Sequence, residues 1–389
     1  DLKTAIDKRF DDKPQYTNPL DLERTAHNDF LEEKTKLFVG RNLELKEGIE
    51  LFRKNYVTCI TGEAGSGKSA YLANMLKTWQ INNPDQKIFF YFLGTTAQTQ
   101  NLLTTLETAY REIIRDLEME REDFPKSVIK ASEFFCAFLE KINKPILLAF
   151  DALDQLQDRE TAFYLQWIPV GPLENLTILF TSLPGKSLNT AENRKIPIMN
   201  LKNLSQEKSR ELITQYLAFY RKRLGVDISS GQDQMTLLLS KEEAVLPLYL
   251  VTAAEELRIF PRYEEITTRI NQLPNSIPEL FEQILIHLES DCGEELVRRA
   301  LSLVAVSRTG LTEEELLDLL APPGLEKLPP MVWSRFYLRI KNYLRGTAST
   351  DGLIGFFHRQ LEEAVRFRYL QDEGIVRFIH KELGDYFTS

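Results

Sequence analysis

The stretch Tyr56-Val57-Thr58-Cys59-Ile60-Thr61-Gly62-Glu63-Ala64-Gly65-Ser66-Gly67-Lys68-Ser69 decides how the rest of the chain is read. Tyr56–Thr61 is a short β-prone run, and Lys68–Gln80 has a helical pattern. Between them Gly62–Ser69 fits GxxxxGK[ST] in full, in the strand–loop–helix context that gives this motif its meaning. Glycines let the backbone curl and turn its N–H groups inward. With the positive end of the following helix, those donors form an anion-binding concavity. Gly62, Gly65, Ser66, Gly67, Lys68, Ser69 and Ala70 are therefore the expected phosphate-binding residues. Lys68 reaches the β- and γ-phosphates of a nucleotide and takes part in its chemistry, and Ser69 offers an oxygen to magnesium. The plain alternative is a fortuitous glycine-rich turn, against which the flanking strand and helix both count.

Outward from this loop, strands and helices alternate to about residue 200. Ile88–Leu93, Pro145–Phe150 and Leu176–Thr181 are apolar strands, and Ile196–Leu201 is a candidate fifth. Helical stretches cover Ala97–Leu117, Ser127–Ile142 and Arg159–Trp167. Continuous apolar strands suit a parallel sheet covered on both faces. The expected fold class is α/β: a P-loop NTPase parallel sheet with helices on both faces, followed by a helical domain and a winged-helix-type domain. On the N-terminal side, residues 1–36 are polar, with Pro14 and Pro19 breaking a first helix and Leu20–Leu37 forming another. After residue 203 the strand signal nearly vanishes. Ser205–Arg223, Leu246–Leu257, Ile277–Leu288, Glu294–Val306 and Thr312–Leu320 have apolar residues at helical spacing. One strand-like piece, Leu353–Phe357, follows a Gly/Ser/Thr-rich turn. The expected units are linker helices over 1–36, a nucleotide-binding domain over 37–203, a helical lid over 204–290 and a winged-helix-type unit with the start of an extension over 291–389.

A magnesium site needs a second hard ligand, and Asp151, at the end of the apolar run Pro145–Phe150, supplies one. Ser69 and Asp151 are the expected metal residues. The competing reading of Asp151 is a strand-end cap for the next turn. Ala152 stands where many fast ATPases have a Glu that orients the attacking water, so Asp154 becomes the candidate general base. A structural Asp that holds the loop is its plainer alternative.

Asp151-Ala152-Leu153-Asp154-Gln155-Leu156 resembles the extended Walker B segment of NACHT-type STAND ATPases. Phe38-Val39-Gly40-Arg41, Leu246–Leu250 with Glu255–Arg258, Leu311–Leu320, and Phe357-His358-Arg359 with Glu363–Val365 and Arg368–Leu370 resemble further segments of that family. The likeness is to the group containing nephrocystin-3, the telomerase-associated protein and the NACHT–WD-repeat proteins. His27–Phe30 and His380–Phe387 look like that group too, and the resemblance covers roughly residues 20 to 389. It implies an ATP/ADP switch, closed with ADP, that opens and self-associates with ATP between a flanking effector and repeats. It also implies roles for single residues. Val39 and Arg41 would lie by adenine and ribose, Pro247 would pack on the base, Thr181 or Ser182 would sense the γ-phosphate, and His358 would reach the β-phosphate of ADP. Three of these have a plainer structural reading: Pro247 as a proline starting a helix, Thr181 or Ser182 as a strand-end hydroxyl bonded to backbone, and His358 as a packed or surface histidine. Gln155 replaces a frequent Glu, and Thr181-Ser182 stand where some relatives have a sensing Arg. Slow, regulatory hydrolysis is the expectation.

The bulk properties narrow the alternatives. The 389 residues carry a net charge of −9, with 43% apolar and 27% charged residues. No global basic field would draw nucleic acid or an anionic membrane. The cluster Arg221-Lys222-Arg223 reads as a solvated helix face. Cys59, Cys136 and Cys292, like His27, His287, His358 and His380, are scattered, with no metal or disulfide spacing. The longest apolar stretch, Ala244–Ala254, contains Pro247 and is far short of a membrane span. A reducing, cytoplasmic setting is expected. The start at Asp1 and the helix-like end suggest a fragment of something longer. An AAA-type remodelling motor is the alternative function, and Ala152 counts against it. A GTPase would want an Asn-Lys-x-Asp motif, and a scaffold with a dead site would not keep Lys68, Ser69 and Asp151.

Overall fold

The computed structural model describes residues 18–96, 98–156, 162–227, 230–259, 265–307, 310–345 and 352–388. Its first unit is a five-stranded sheet of β1 (Val57–Thr61), β2 (Lys87–Phe92), β3 (Ile146–Asp151), β4 (Leu176–Ser182) and β5 (Ile198–Asn200). The order is β2-β3-β4-β1-β5, and every pairing is parallel. Alternate residues serve opposite faces. Val57, Cys59, Phe89, Tyr91, Leu148, Phe150 and Phe180 join one apolar cluster, with α4 (Leu102–Leu117) and α5 (Val128–Glu140). Ile60, Phe92, Leu147, Ala149 and Leu179 join the other, with α1 (Pro19–Thr35), α2 (Asn42–Arg53) and α3 (Lys68–Asn82). Burial on both faces is why β1 and β3 read as unbroken apolar runs.

The register fixes the site. Thr61 pairs with Ser182, and Phe92 with Asp151, so these residues share the C-terminal edge of the sheet. In open parallel sheets ligands bind outside that edge. Helix α1 starts at Pro19, and its Asn18 cap accepts from Leu20 N at 3.0 Å. Helix α2 was not expected from the sequence, because only Gly48, Ile49 and Phe52 of its residues are buried. Of the expected helix Arg159–Trp167, residues 159–161 lie outside the described ones. Ala162 and Phe163 are helical, and the chain then turns with Leu165 at φ 53°. The expected first helix and the turn before Leu353 also lie outside.

Beyond the sheet come α6 (Lys186–Asn193), α7 (Gln206–Phe219), α8 (Gln234–Leu239), α9 (Pro247–Ile259), α10 (Ile266–Gln272), α11 (Ile277–Cys292) and α12 (Glu294–Val306). The chain continues through β6 (Leu311–Thr312), α13 (Glu313–Leu319), α14 (Pro330–Ile340), β7 (Leu344–Arg345) and β8 (Leu353–Phe356). It closes with α15 (Arg359–Tyr369) and α16 (Glu373–Thr388). The short strands form an antiparallel sheet in the order β6-β8-β7. Thr312 and Glu315 make a reciprocal capping box at the start of α13. One apolar cluster runs from Leu204 through Phe281 and Phe336 to Leu383, so the helical region and the small sheet share a core. Polar ties reinforce it: Asn342 donates to Glu255 at 2.8 Å, Tyr343 to Glu256 at 3.1 Å, and Arg368 grips Glu289 at 2.8 and 2.7 Å.

Candidate nucleotide site

The loop Gly62–Gly67 leaves β1 and delivers Lys68 as the first residue of α3. Gly67 is left-handed at φ 89°, a conformation that costs other residues roughly 1–2 kcal/mol. A Cβ on Gly62 would stand 2.9 Å from Leu201 O, too close for any side chain. Lys68 Nζ donates to Gly62 O at 2.8 Å and Glu63 O at 2.9 Å. Burial pulls its pKa down, against the opposing fields of Asp151 and Asp154. Ser66 is fully buried, and its Oγ has no hydrogen-bond partner among the described residues. An orphaned buried hydroxyl in a glycine-rich loop that also holds an ammonium fits phosphate oxygens.

Asp151 ends β3 and is 2% exposed. Burial raises its pKa, while hydrogen bonds from Ser69 and Thr181 and the charge of Lys68 oppose the rise. Ser69 thus lies close to Asp151. With phosphate oxygens and water, the two would supply the hard oxygen set magnesium prefers. Among the described residues no group of three His, Cys, Asp or Glu could hold a metal alone.

Thr181 Oγ1 donates to Asp151 Oδ1 at 2.6 Å and accepts from Ala152 N at 2.7 Å. Its hydroxyl thus aims the carboxylate. Ser182 Oγ donates to Leu183 O at 2.8 Å. Arg41 is 3% exposed and donates to Ser66 O at 2.9 Å and Lys202 O at 3.0 Å, so it braces the loop from behind. Val39, beside it, packs against the helical core. Pro247 opens α9 against the loop: a Cβ on Gly67 would lie 3.6 Å from its Cγ. Leu248 N also donates to Gly65 O at 3.2 Å.

His358 caps α15, with its ring 4.8 Å from that of Phe357 and 6.5 Å from that of Phe281. Burial, then the nearby Lys34 charge, holds its pKa well below the usual imidazole value, so the ring is neutral. Asp154, in the 3-10 turn Leu153–Gln155, takes a salt bridge from Arg359 Nη1 at 3.0 Å.

A NACHT domain model matches residues 56–219. Residues 56–219 are thus similar to NACHT domains. Telomerase protein component 1 of Mus musculus is 29% identical over 278 residues, which cover 68% of this chain and 10% of that protein. NACHT and WD repeat domain-containing protein 2 of Homo sapiens is 25% identical over 356 residues, covering 85% of this chain and 20% of that protein. The chain thus spans between a tenth and a fifth of the length of these two relatives. Among solved structures, the Aeropyrum pernix ORC1 protein in complex with DNA matches with a TM-score of 0.43 and 14% identity, over 88% of this chain and 96% of that chain.

Two cations of this region escaped the sequence reading. Arg359 follows His358 directly, and only the fold shows that it reaches Asp154. Lys34, on α1, lies over Phe357 with its Nζ 3.8 Å from the ring centroid. Its signal was spacing: His27, Leu31 and Lys34 fall on one helix face, and the first two are buried.

Proposed function

We propose that this chain is the ATP/ADP-binding engine of a larger switch protein, hydrolysing ATP slowly and changing shape with the nucleotide it holds. The observation that carries this reading is the Arg359–Asp154 bridge. It joins the C-terminal helices to the segment directly after the magnesium-binding strand. The region from β6 to β8 is read as a winged-helix unit, and Val39, Pro247 and His358 as residues that meet the nucleotide. Magnesium would be held by Ser69 and Asp151. Thr181 would act by orienting Asp151, and Arg41 by bracing the loop. Self-association in the ATP state, flanking effector and repeat domains and a cytoplasmic setting belong to the same proposal. So does the lack of a direct nucleic-acid role. No helix among the described residues is long and apolar enough to cross a membrane.

The test is nucleotide retention. The purified chain should carry ADP or ATP, and Lys68→Ala should lose it while keeping its fold by circular dichroism. Hydrolysis should run well below the roughly 10 s⁻¹ typical of enzymes. Bound GDP, or undiminished ATP affinity in Lys68→Ala, would overturn the reading.

A further inference from the structure

Helix α1 is fastened to the sheet turn by turn. Arg24 grips both carboxylate oxygens of Glu112, at 3.2 and 3.0 Å, and donates to Ile88 O at 3.2 Å. His27 Nδ1 accepts from Phe92 N at 3.2 Å, at the strand end beside Asp151. The Phe30 ring lies 4.6 Å from that of Phe92. Continuing along the buried face, the helix delivers Lys34 to the C-terminal edge of the sheet.

The surroundings of Lys34 are unusual for a lysine. Its ammonium lies 3.8 Å from the Phe357 ring centroid and 5.0 Å from that of Phe30. Among the described residues it has no ion pair and no hydrogen bond. The opposite charge that acts on it most is Asp151, ahead of its sequence neighbour Glu33. Two aromatic faces return only part of what a desolvated ammonium loses. A cation so placed is complete only when an anion arrives beside it. In a P-loop site the terminal phosphate is the group next to the metal-bearing Ser and Asp, here Ser69 and Asp151.

We propose that Lys34 is a ligand of the terminal phosphate of bound ATP, supplied from helix α1, and that it lets the site distinguish ATP from ADP. This rests on the nucleotide reading of the Gly62–Ser69 loop. Thr181 and Ser182 leave room for the role, since both hydroxyls have internal partners.

The test is calorimetric titration of the whole chain with ADP and with a non-hydrolysable ATP analogue, both with magnesium. Lys34→Met keeps an aliphatic stem against the two rings. It should bind ADP as the parent does and the ATP analogue about tenfold more weakly or worse, the loss expected for one charge-assisted hydrogen bond. Lys34→Arg should recover most of the preference. Lys34→Gln serves as a second neutral variant if Lys34→Met melts early. Equal affinity for the ATP analogue, or equal losses for both nucleotides, would make Lys34 a mere counter-charge for Asp151 and overturn the proposal. If the parent binds neither nucleotide, the loop reading fails first and this inference falls with it. If the parent binds both and only Lys34→Met fails to discriminate them, both stand.

Discussion

At the scale of single residues, the site is a chain of carboxylates each held by a named partner. Thr181 aims Asp151, and Arg359 occupies Asp154. The Asp154 oxygen that Arg359 holds is not free to face a water. In the proposed mechanism Asp154 would act on water only when Arg359 has moved. Opposite effects are expected from the two partners. Arg359→Ala should raise steady-state ATP hydrolysis, while Asp154→Asn should lower it about tenfold or more without weakening ATP binding. Phosphate-release assays on both variants check this, and a fall in both would remove the proposed role of the bridge. Ala152 adds a local constraint, since it holds a left-handed φ of 57° to turn the chain from β3 into the 3-10 turn.

At the scale of elements, one close joint is that between the phosphate loop and the first turns of α9 and α11. A Cβ on Gly65 would stand 3.1 Å from Ile277 Cδ1 and 3.2 Å from Leu248 Cβ, and the residue has φ 81°. Gly65→Ala should therefore cost roughly 1–2 kcal/mol from the backbone alone and push the helical region off the loop. Thermal melting and limited proteolysis across residues 201–205 are the readouts, and an unchanged melting point would show that the joint is slack. The same elements show what was legible in advance. The loop, β1, β3 and Asp151 could be read because phosphate chemistry and two-sided burial both write contiguous patterns. Helices α2, α6, α8 and α10 could not, being short or weakly buried. Helix α14, also not expected, follows Pro329 and begins at Pro330, a first-turn position where proline is tolerated. Lys34 and Arg359 reach the site from elements far away in sequence, so only the packing of whole helices reveals them.

At the scale of the whole molecule, the helical region and the small β-sheet are held as one body by a common apolar core and by partly buried ion pairs. Arg368 of α15 pairs with both Glu282 and Glu289 of α11. The Arg368 hydrogen bond, with help from Tyr369 and against burial, holds the Glu289 carboxyl below its ordinary pKa. A depressed folded pKa means that this stabilisation is fully present above the unfolded value, near 4.3 for Glu. It is lost as pH falls through the folded value. Glu289→Gln should lower the melting temperature at neutral pH and flatten its fall below about pH 4.3. A parent-like acid limb in the variant would show that the pair contributes nothing. A different consequence follows from Arg41. The lead-in segment, the phosphate loop and the exit at Lys202 all meet at its guanidinium. Tension between the lead-in segment and the exit at Lys202 would pass in part through this guanidinium to the carbonyl of Ser66. If an anion in the loop stiffens that knot, then by reciprocity tension on the knot would change how firmly the loop holds its anion. In engineering language the α/β unit would then work as a strain gauge, calibrated by the nucleotide.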